Sequence, residues 1–323
     1  MRDGNVLGFD SVPQPTYKDK DLRKAVALEK AKAQDETEVF ANDSKKKIYM
    51  HWMYDVPMGE QLDDDGDSLE SIEGCLTDAQ YNRDEHRKAV IDDILDNWVS
   101  QSHNGKFHAI LATSSIPEAI KYYKLFAQRD CGLKTTAVFD PSDGNNESSI
   151  EKIDGIAQML EDYNSLFGTC FNISGYASFK RDVCARLAHK TPYTAVENEP
   201  SKCLDILIVV DQMLTGYDSK WLNTLYMDKF YKWSNIEMII QAFSRTNRVF
   251  NDDKPHGIIR YYRRPYTMKN IIEYAFEQYS GQKPYGIFVA KLIQNLENMN
   301  AAFSDINDIF KIAGIPDFFK TSR

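Results

Sequence analysis

Gln241, Arg245 and Arg248 follow one another at intervals of four and three residues in Ile240-Gln241-Ala242-Phe243-Ser244-Arg245-Thr246-Asn247-Arg248. On a helix that spacing places all three side chains on one face, so two guanidinium groups converge on one region. Converging arginines repel unless an anion faces them. An anionic ligand meets that need, and so do surface acids such as Asp252 and Asp253. A second stretch, Val209-Val210-Asp211-Gln212-Met213-Leu214-Thr215-Gly216-Tyr217-Asp218, leaves an apolar run and turns polar. Polar groups just past the carboxyl end of a strand are where open α/β sheets bind ligands. Gly216 lets the backbone approach a ligand closely, while Thr215 and Asp218 offer a hydroxyl and a carboxylate on the same turn. An aspartate in that position also serves as a plain helix cap.

Together the two stretches resemble motifs V and VI of superfamily 2 helicases, with Ser244 where the usual QxxGRxxR form of motif VI has glycine. The longer string LTGYDSKWLNTLYMDK, followed by IQAFSRTNRVF, is similar more specifically to the motor and restriction (R) subunit of type I restriction enzymes. Asp3-Gly4-Asn5-Val6-Leu7-Gly8-Phe9 resembles the segment leaving that family's first motor lobe. Phe107 to Ser115 resembles motif IV, and Asp162-Tyr163-Asn164 with Phe167 resembles the helix that follows it. The resemblance is densest over Leu204 to Tyr262 and thinnest from Lys18 to Asp78 and beyond Ser280.

In such motors ATP lies between two RecA-like lobes, the first supplying the phosphate-binding loop and a magnesium carboxylate, the second an arginine finger. The resemblance therefore implies that Arg248 is the finger, that Arg245 is a second phosphate contact and that Gln241 positions the finger or senses the phosphate. It places Gly216 and Asp218 on the nucleotide side, and Thr113, Ser114, Ser115 and Thr215 on the DNA side. Hydroxyls and amides at a helix start suit a phosphate, and the same serines suit a helix cap. The sequence contains no GxxxxGK[ST] loop and no DExH box after a strand, so the chain reads as a fragment that lacks the first lobe. ATP and Mg2+ would then be held mostly by that lobe, with nothing bound tightly here and no residue assigned to a metal. The implied partners are double-stranded DNA, the first lobe and nuclease domain of the same subunit, and the modification and specificity subunits. No nuclease constellation is visible, and the Asp-x-Lys triplets at Asp43 and Asp252 lie in polar stretches that read as surface. Two other readings stand beside this one: a non-catalytic module whose tail, Ser280 to Arg323, docks onto a modification subunit, and a lobe of a related superfamily 2 repair helicase.

Positioning these residues takes an α/β scaffold. Phe107 to Ala112, Lys134 to Phe139, Leu204 to Asp211, Leu222 to Met227 and Gly257 to Tyr262 are short apolar runs of strand length. Helical patterns separate them at Ile116 to Gln128, Ser149 to Phe167, Ser178 to Ala188 and Ile236 to Arg245. Buried strands alternating with helices predict a three-layer, RecA-like domain with a mainly parallel sheet. It is expected over residues 78–266, with a connecting segment before it (1–77) and a helical extension after it (267–323). Tyr261-Tyr262-Arg263-Arg264, after the last strand, reads either as solvated arginines at a strand end or as a DNA contact through cations and rings.

Composition narrows the field. A chain of 323 residues with 42% hydrophobic and 27% charged residues buries one substantial core. Its longest apolar runs fall far short of the roughly 20 residues that span a bilayer, so no membrane partner is expected. Five cysteines without a CxxC pair suggest neither a disulfide framework nor a zinc ribbon, and fit a reducing cytoplasmic setting. The net charge of −9 excludes nucleic-acid coating by bulk attraction, so any DNA contact is local. The six histidines show no ligand spacing, and the acidic run Asp63-Asp64-Asp65-Gly66-Asp67 lacks carboxylates at the first and last positions a calcium loop requires.

Overall fold

The computed structural model describes residues 7–129, 131–139, 149–210 and 217–279, with a few helical positions between 299 and 310. Two units are distinguished, Met1–Ile287 and Phe288–Arg323; the second holds only those few helical positions, so most of the expected tail lies outside the described residues.

In the first unit six strands form one parallel sheet: β1 (Gly8–Pro13), β2 (His108–Thr113), β3 (Thr135–Val138), β4 (Ile206–Val209), β5 (Leu222–Asp228) and β6 (His256–Tyr261). Their order is β1-β6-β5-β2-β4-β3, and every pairing is parallel. The helices are α1 (Asp19–Lys30), α2 (Glu36–Phe40), α3 (Asp43–Tyr54), α4 (Asp84–Gln101), α5 (Ile116–Arg129), α6 (Ser149–Phe167), α7 (Tyr176–Leu187), α8 (Ile236–Phe243) and α9 (Pro265–Tyr279). This is the α/β, RecA-like arrangement expected from the alternation of apolar strands and helices.

The central strands are buried on both faces: β2, β4 and β5 read buried at every position. Tyr226 and Arg260 reach from the sheet to Gln101 and Asp93 of α4, and Tyr122 of α5 reaches Asp228, so α4 and α5 cover the same face. From β2 to β3 the chain steps one way across the sheet, and from β5 to β6 it steps the other. Right-handed crossovers therefore put α5 and α8 on opposite faces. On the α8 side Phe9 of β1 packs its ring against Phe243 of α8 and Phe276 of α9, with centroids 5.6 and 5.5 Å apart.

Two features differ from the expected layout. The segment expected to be a connector supplies the edge strand β1, in register with β6 from Gly8↔His256 to Pro13↔Tyr261. Its pattern is only half buried, as suits an edge, and Pro13 sits at the end of the strand, where a missing N–H is tolerated. Beyond β1, helices α1 to α3 bury a cluster of their own around Val26, Ala27, Val39, Tyr49, Trp52 and Ile72. Glu73 docks this cluster on the sheet body: its buried carboxylate accepts hydrogen bonds from Tyr266 N (3.1 Å) and Thr267 N (2.7 Å) at the start of α9. A carboxylate there satisfies orphan amides and faces the positive end of the helix dipole.

The second difference is that α8 stops at Phe243, not Arg245. Ser244 Oγ donates to Gln241 O (2.7 Å) and Thr246 Oγ1 to Phe243 O (3.0 Å), so hydroxyls take up the last-turn carbonyls and the chain turns away. Thr246 fits because residue 257 in β6 is glycine: a Cβ there would lie 2.8 Å from Thr246 Cβ. Gly257→Ala is thus expected to lower unfolding stability by about 1–3 kcal/mol, the usual cost of overpacking, measured by urea titration.

Candidate functional site

The amino edge of the sheet gathers most of the residues singled out by spacing. A turn, residues 217–222, enters β5, and a loop, residues 244–255, leaves α8 and enters β6. Three cations of the loop grip the turn. Arg245 Nη1 donates to Tyr217 O (3.0 Å), Arg248 Nε donates to Asp218 Oδ1 (2.6 Å), and Lys254 Nζ donates to Lys220 O (3.1 Å) and Leu222 O (2.7 Å). Lys106 of the loop before β2 closes the same edge with an ion pair to Asp253.

Asp218 is therefore no helix cap: a strand follows it, and its carboxylate orients Arg248. Pairing through Nε engages one edge of the planar guanidinium and presents the terminal amino groups on the other. The Arg248 side chain remains 40% exposed. The alternative pairing of these arginines with Asp252 and Asp253 is not what forms: Arg248 takes Asp218, and Asp253 takes Lys106. Burial, reinforced by neighbouring Arg248, pushes the Arg245 guanidinium below its ordinary pKa, while Asp218 opposes that shift.

The expectation of a single helical face is corrected. Gln241 is exposed on the last turn of α8, whereas Arg245 and Arg248 lie beyond the helix end. They converge through the loop and not through helical periodicity. The expected location is corrected too. Asp218 lies four residues before Leu222, the first residue of β5, and so at the amino end of that strand. Thr215 and Gly216, the other residues assigned to that turn, lie outside the described residues.

The opposite, carboxyl edge holds Thr113, Ser114 and Ser115. Thr113 is fully buried, and its hydroxyl donates to Val209 O (3.1 Å), tying the end of β2 to the end of β4. It shapes the turn instead of facing a phosphate. Ser114 and Ser115 are half-buried, and Ser115 Oγ accepts from Glu118 N (3.4 Å) at the start of α5.

Beside them lies a buried ionic network that the sequence did not announce. Asp228, at the last position of β5, accepts from His86 Nε2 (2.7 Å), Tyr122 OH (2.9 Å), and Arg263 Nε (2.9 Å) and Nη2 (3.1 Å). Burial alone would raise its pKa, but hydrogen bonds and charge from His86 and Arg263 hold it down at about 2. Glu118 adds a bidentate pair with Arg87, 2.7 Å on each oxygen. Arg263 is thus neither solvated nor free to touch DNA, which corrects both readings for that arginine. Its Nε and Nη2 donate to Asp228 and Asn82.

Lys254 is the second residue missed. Its place in a polar Asp-x-Lys triplet read as surface, yet it is 1% exposed, and burial together with Arg248 pushes its pKa down to about 7. No local pattern marks it, since its partners are backbone carbonyls more than thirty residues away. Among the described residues no group of three or more His, Cys, Asp or Glu side chains is placed to hold a metal, and no helix is long and apolar enough to cross a membrane.

Comparison with known proteins gives these edges a context. The profile of "Type I restriction enzyme subunit R domain 3" matches residues 105–264, the span from the loop before β2 to the turn after β6. The type I restriction enzyme SsaAORF53P endonuclease subunit of Staphylococcus saprophyticus is 32% identical over 63% of this chain and 22% of its own length. The SauMRSORF196P endonuclease subunit of Staphylococcus aureus strain MRSA252 is 31% identical over 59% of this chain and 20% of its own. A solved structure, the C-terminal part of the Fun30 ATPase domain, shows only a slight likeness, with a TM-score of 0.30 and 13% identity over 77% of this chain and 62% of that one. The chain thus spans about a fifth of the length of the curated relatives it matches. Over residues 105–264 it belongs to the family of type I restriction enzyme subunit R, domain 3.

Proposed function

We propose that this chain is the second motor lobe of an R subunit that translocates double-stranded DNA at the expense of ATP, with Arg248 as its arginine finger. The observation that carries the proposal is the grip of the 244–255 loop on the 217–222 turn. It fixes Arg248 through Asp218, presents the far edge of its guanidinium, and sets Arg245 alongside. Two guanidiniums so placed suit the phosphates of ATP in charge and in hydrogen-bond geometry. When bound, ATP and Mg2+ supply the phosphoryl group to be transferred and are held mostly by the first lobe. Arg248 stabilises the charge that builds on that group, Arg245 is a second phosphate contact, and Gln241 senses the phosphate from the end of α8. This chain by itself is not expected to hydrolyse ATP.

DNA belongs at the other edge, where Ser114 and Ser115 open α5. Their hydroxyls can donate to a backbone phosphate. The nuclease domain and the modification and specificity subunits complete the assembly, in the cytoplasm.

The two edges are separable by experiment in an R subunit containing this sequence. Arg245→Ala is expected to lower the saturated ATPase rate by about tenfold to a hundredfold while leaving DNA affinity within twofold. Ser114→Glu is expected to do the reverse, raising the DNA concentration needed for half-maximal ATPase several-fold with the saturated rate retained. A wild-type rate in the Arg245 variant rejects the nucleotide assignment, and unchanged DNA dependence in the Ser114 variant rejects the track.

A further inference from the structure

Lys254 raises a question that its neighbours do not. A buried ammonium is costly unless it is paired, and the charge that acts on this one is the like charge of Arg248. Its two hydrogen bonds go to neutral carbonyls, those of Lys220 and Leu222, which flank the entry to β5. A residue whose only task was to fill space would be better served by methionine or leucine, without desolvating a charge. What Lys254 gains is a specific geometry. The carbonyls it holds lie two and four residues after Asp218, and Lys254 itself lies six residues after Arg248.

The remaining contacts point the same way. Ser219 Oγ donates to Leu187 O (3.2 Å) and accepts from Trp221 N (3.1 Å), so the middle of the turn is tied to the end of α7. The Trp221 ring stacks on His189, with centroids 3.9 Å apart, and meets Phe250 of the loop at 4.6 Å. Turn and loop are thus packed through aromatic rings. Lys254 is the polar tie that joins the two at the base of β5.

We propose that Lys254 is a positioning residue for the arginine finger: by fixing the carbonyls of Lys220 and Leu222 it sets the turn that carries Asp218, and through Asp218 the direction of Arg248. This deepens the proposed function and rests on it. An arginine finger acts mainly in the transition state, so misdirecting it lowers kcat more than it raises KM.

The test uses an R subunit containing this sequence, with Lys254→Met, which keeps the volume and removes the donors, and Lys254→Gln, which restores an N–H donor. Lys254→Met is expected to lower kcat for DNA-stimulated ATP hydrolysis by about tenfold or more, with KM for ATP within about threefold. Lys254→Gln should recover part of that loss. Because Lys254 acts through the Asp218 turn, Lys254→Met should add less than about twofold when Asp218→Ala is already present. Thermal unfolding of each variant checks that the fold survives, and if the methionine variant fails to fold, the glutamine variant carries the same test. A folded variant with wild-type kcat overturns the proposal. So does a loss that multiplies fully with that of Asp218→Ala, or one that falls on KM alone. If Arg248→Ala also retains full activity, the arginine-finger reading is what has failed, and the two failures are told apart.

Discussion

Arg248→Ala is expected to abolish DNA-stimulated ATP hydrolysis, by about a thousandfold or more, in an R subunit containing this sequence, while the fold and DNA binding persist. The size of the effect follows from when the interaction forms. Charge spreads over the oxygens of the phosphoryl group as it is transferred, and a guanidinium meeting it in a water-poor cleft stabilises that charge far more than it stabilises the ground state. The fold should tolerate the change because the Arg248 side chain is 40% exposed, so truncating it buries no orphaned charge. Its partner Asp218 is 63% exposed and returns to water. Arg248→Lys is expected to recover little, since an ammonium cannot donate to Asp218 and present a second planar edge at the same time. Steady-state hydrolysis with saturating DNA, beside far-ultraviolet dichroism of the variant, measures both halves of the prediction. Hydrolysis within tenfold of wild type would reject Arg248 as the finger.

Asp228→Asn is expected to cost the fold about 3–5 kcal/mol, read as a shift in the urea midpoint. The carboxylate takes four hydrogen bonds in a fully buried setting, two of them from Arg263. Asparagine keeps the shape but leaves the buried Arg263 guanidinium only Glu118, 3.9 Å away and already paired with Arg87, as a countercharge, and turns one acceptor into a donor that faces donors. The same network predicts acid sensitivity. A carboxylate whose folded pKa lies near 2, below its unfolded value near 3.8, contributes stability that is complete above about pH 4 and is lost as pH falls through about 2. That contribution is about 2 kcal/mol, at roughly 1.4 kcal/mol per unit of pKa. Asp228→Asn should therefore show a flatter stability profile between pH 4 and pH 2 than the parent chain. An identical profile would mean that the ionised carboxylate is not what holds the network.

Much of the scaffold was legible because it depends on local pattern. Ile206 to Val209 and His108 to Thr113 are apolar without interruption, and such runs suit only a sheet covered on both faces. β1 was not legible: Gly8 to Pro13 has no apolar alternation, and its pairing with β6 closes a loop of more than 240 residues. The chemistry divided along the same line. Arg245, Arg248 and Asp218 were found by type and spacing, but the spacing was credited to a helix that ends at Phe243. Capping by Ser244 and Thr246 ended it, and tertiary contact between loop and turn brought the charges together. Lys254, Asp228 and Arg263 stayed hidden for a related reason: their partners come from distant segments, so no short window of sequence contains the interaction.

The edge strand has a mechanical consequence. Because β1 runs parallel to β6, tension applied through Leu7 acts along the strand axis, and all six residue pairs from Gly8↔His256 to Pro13↔Tyr261 share the load in shear. A strand loaded that way resists as a unit, whereas one pulled sideways peels a bond at a time. The load also enters where Leu7 N meets Asn247 O, next to Arg248 in sequence, so tension at Leu7 is felt by the 244–255 loop as well as by the sheet edge.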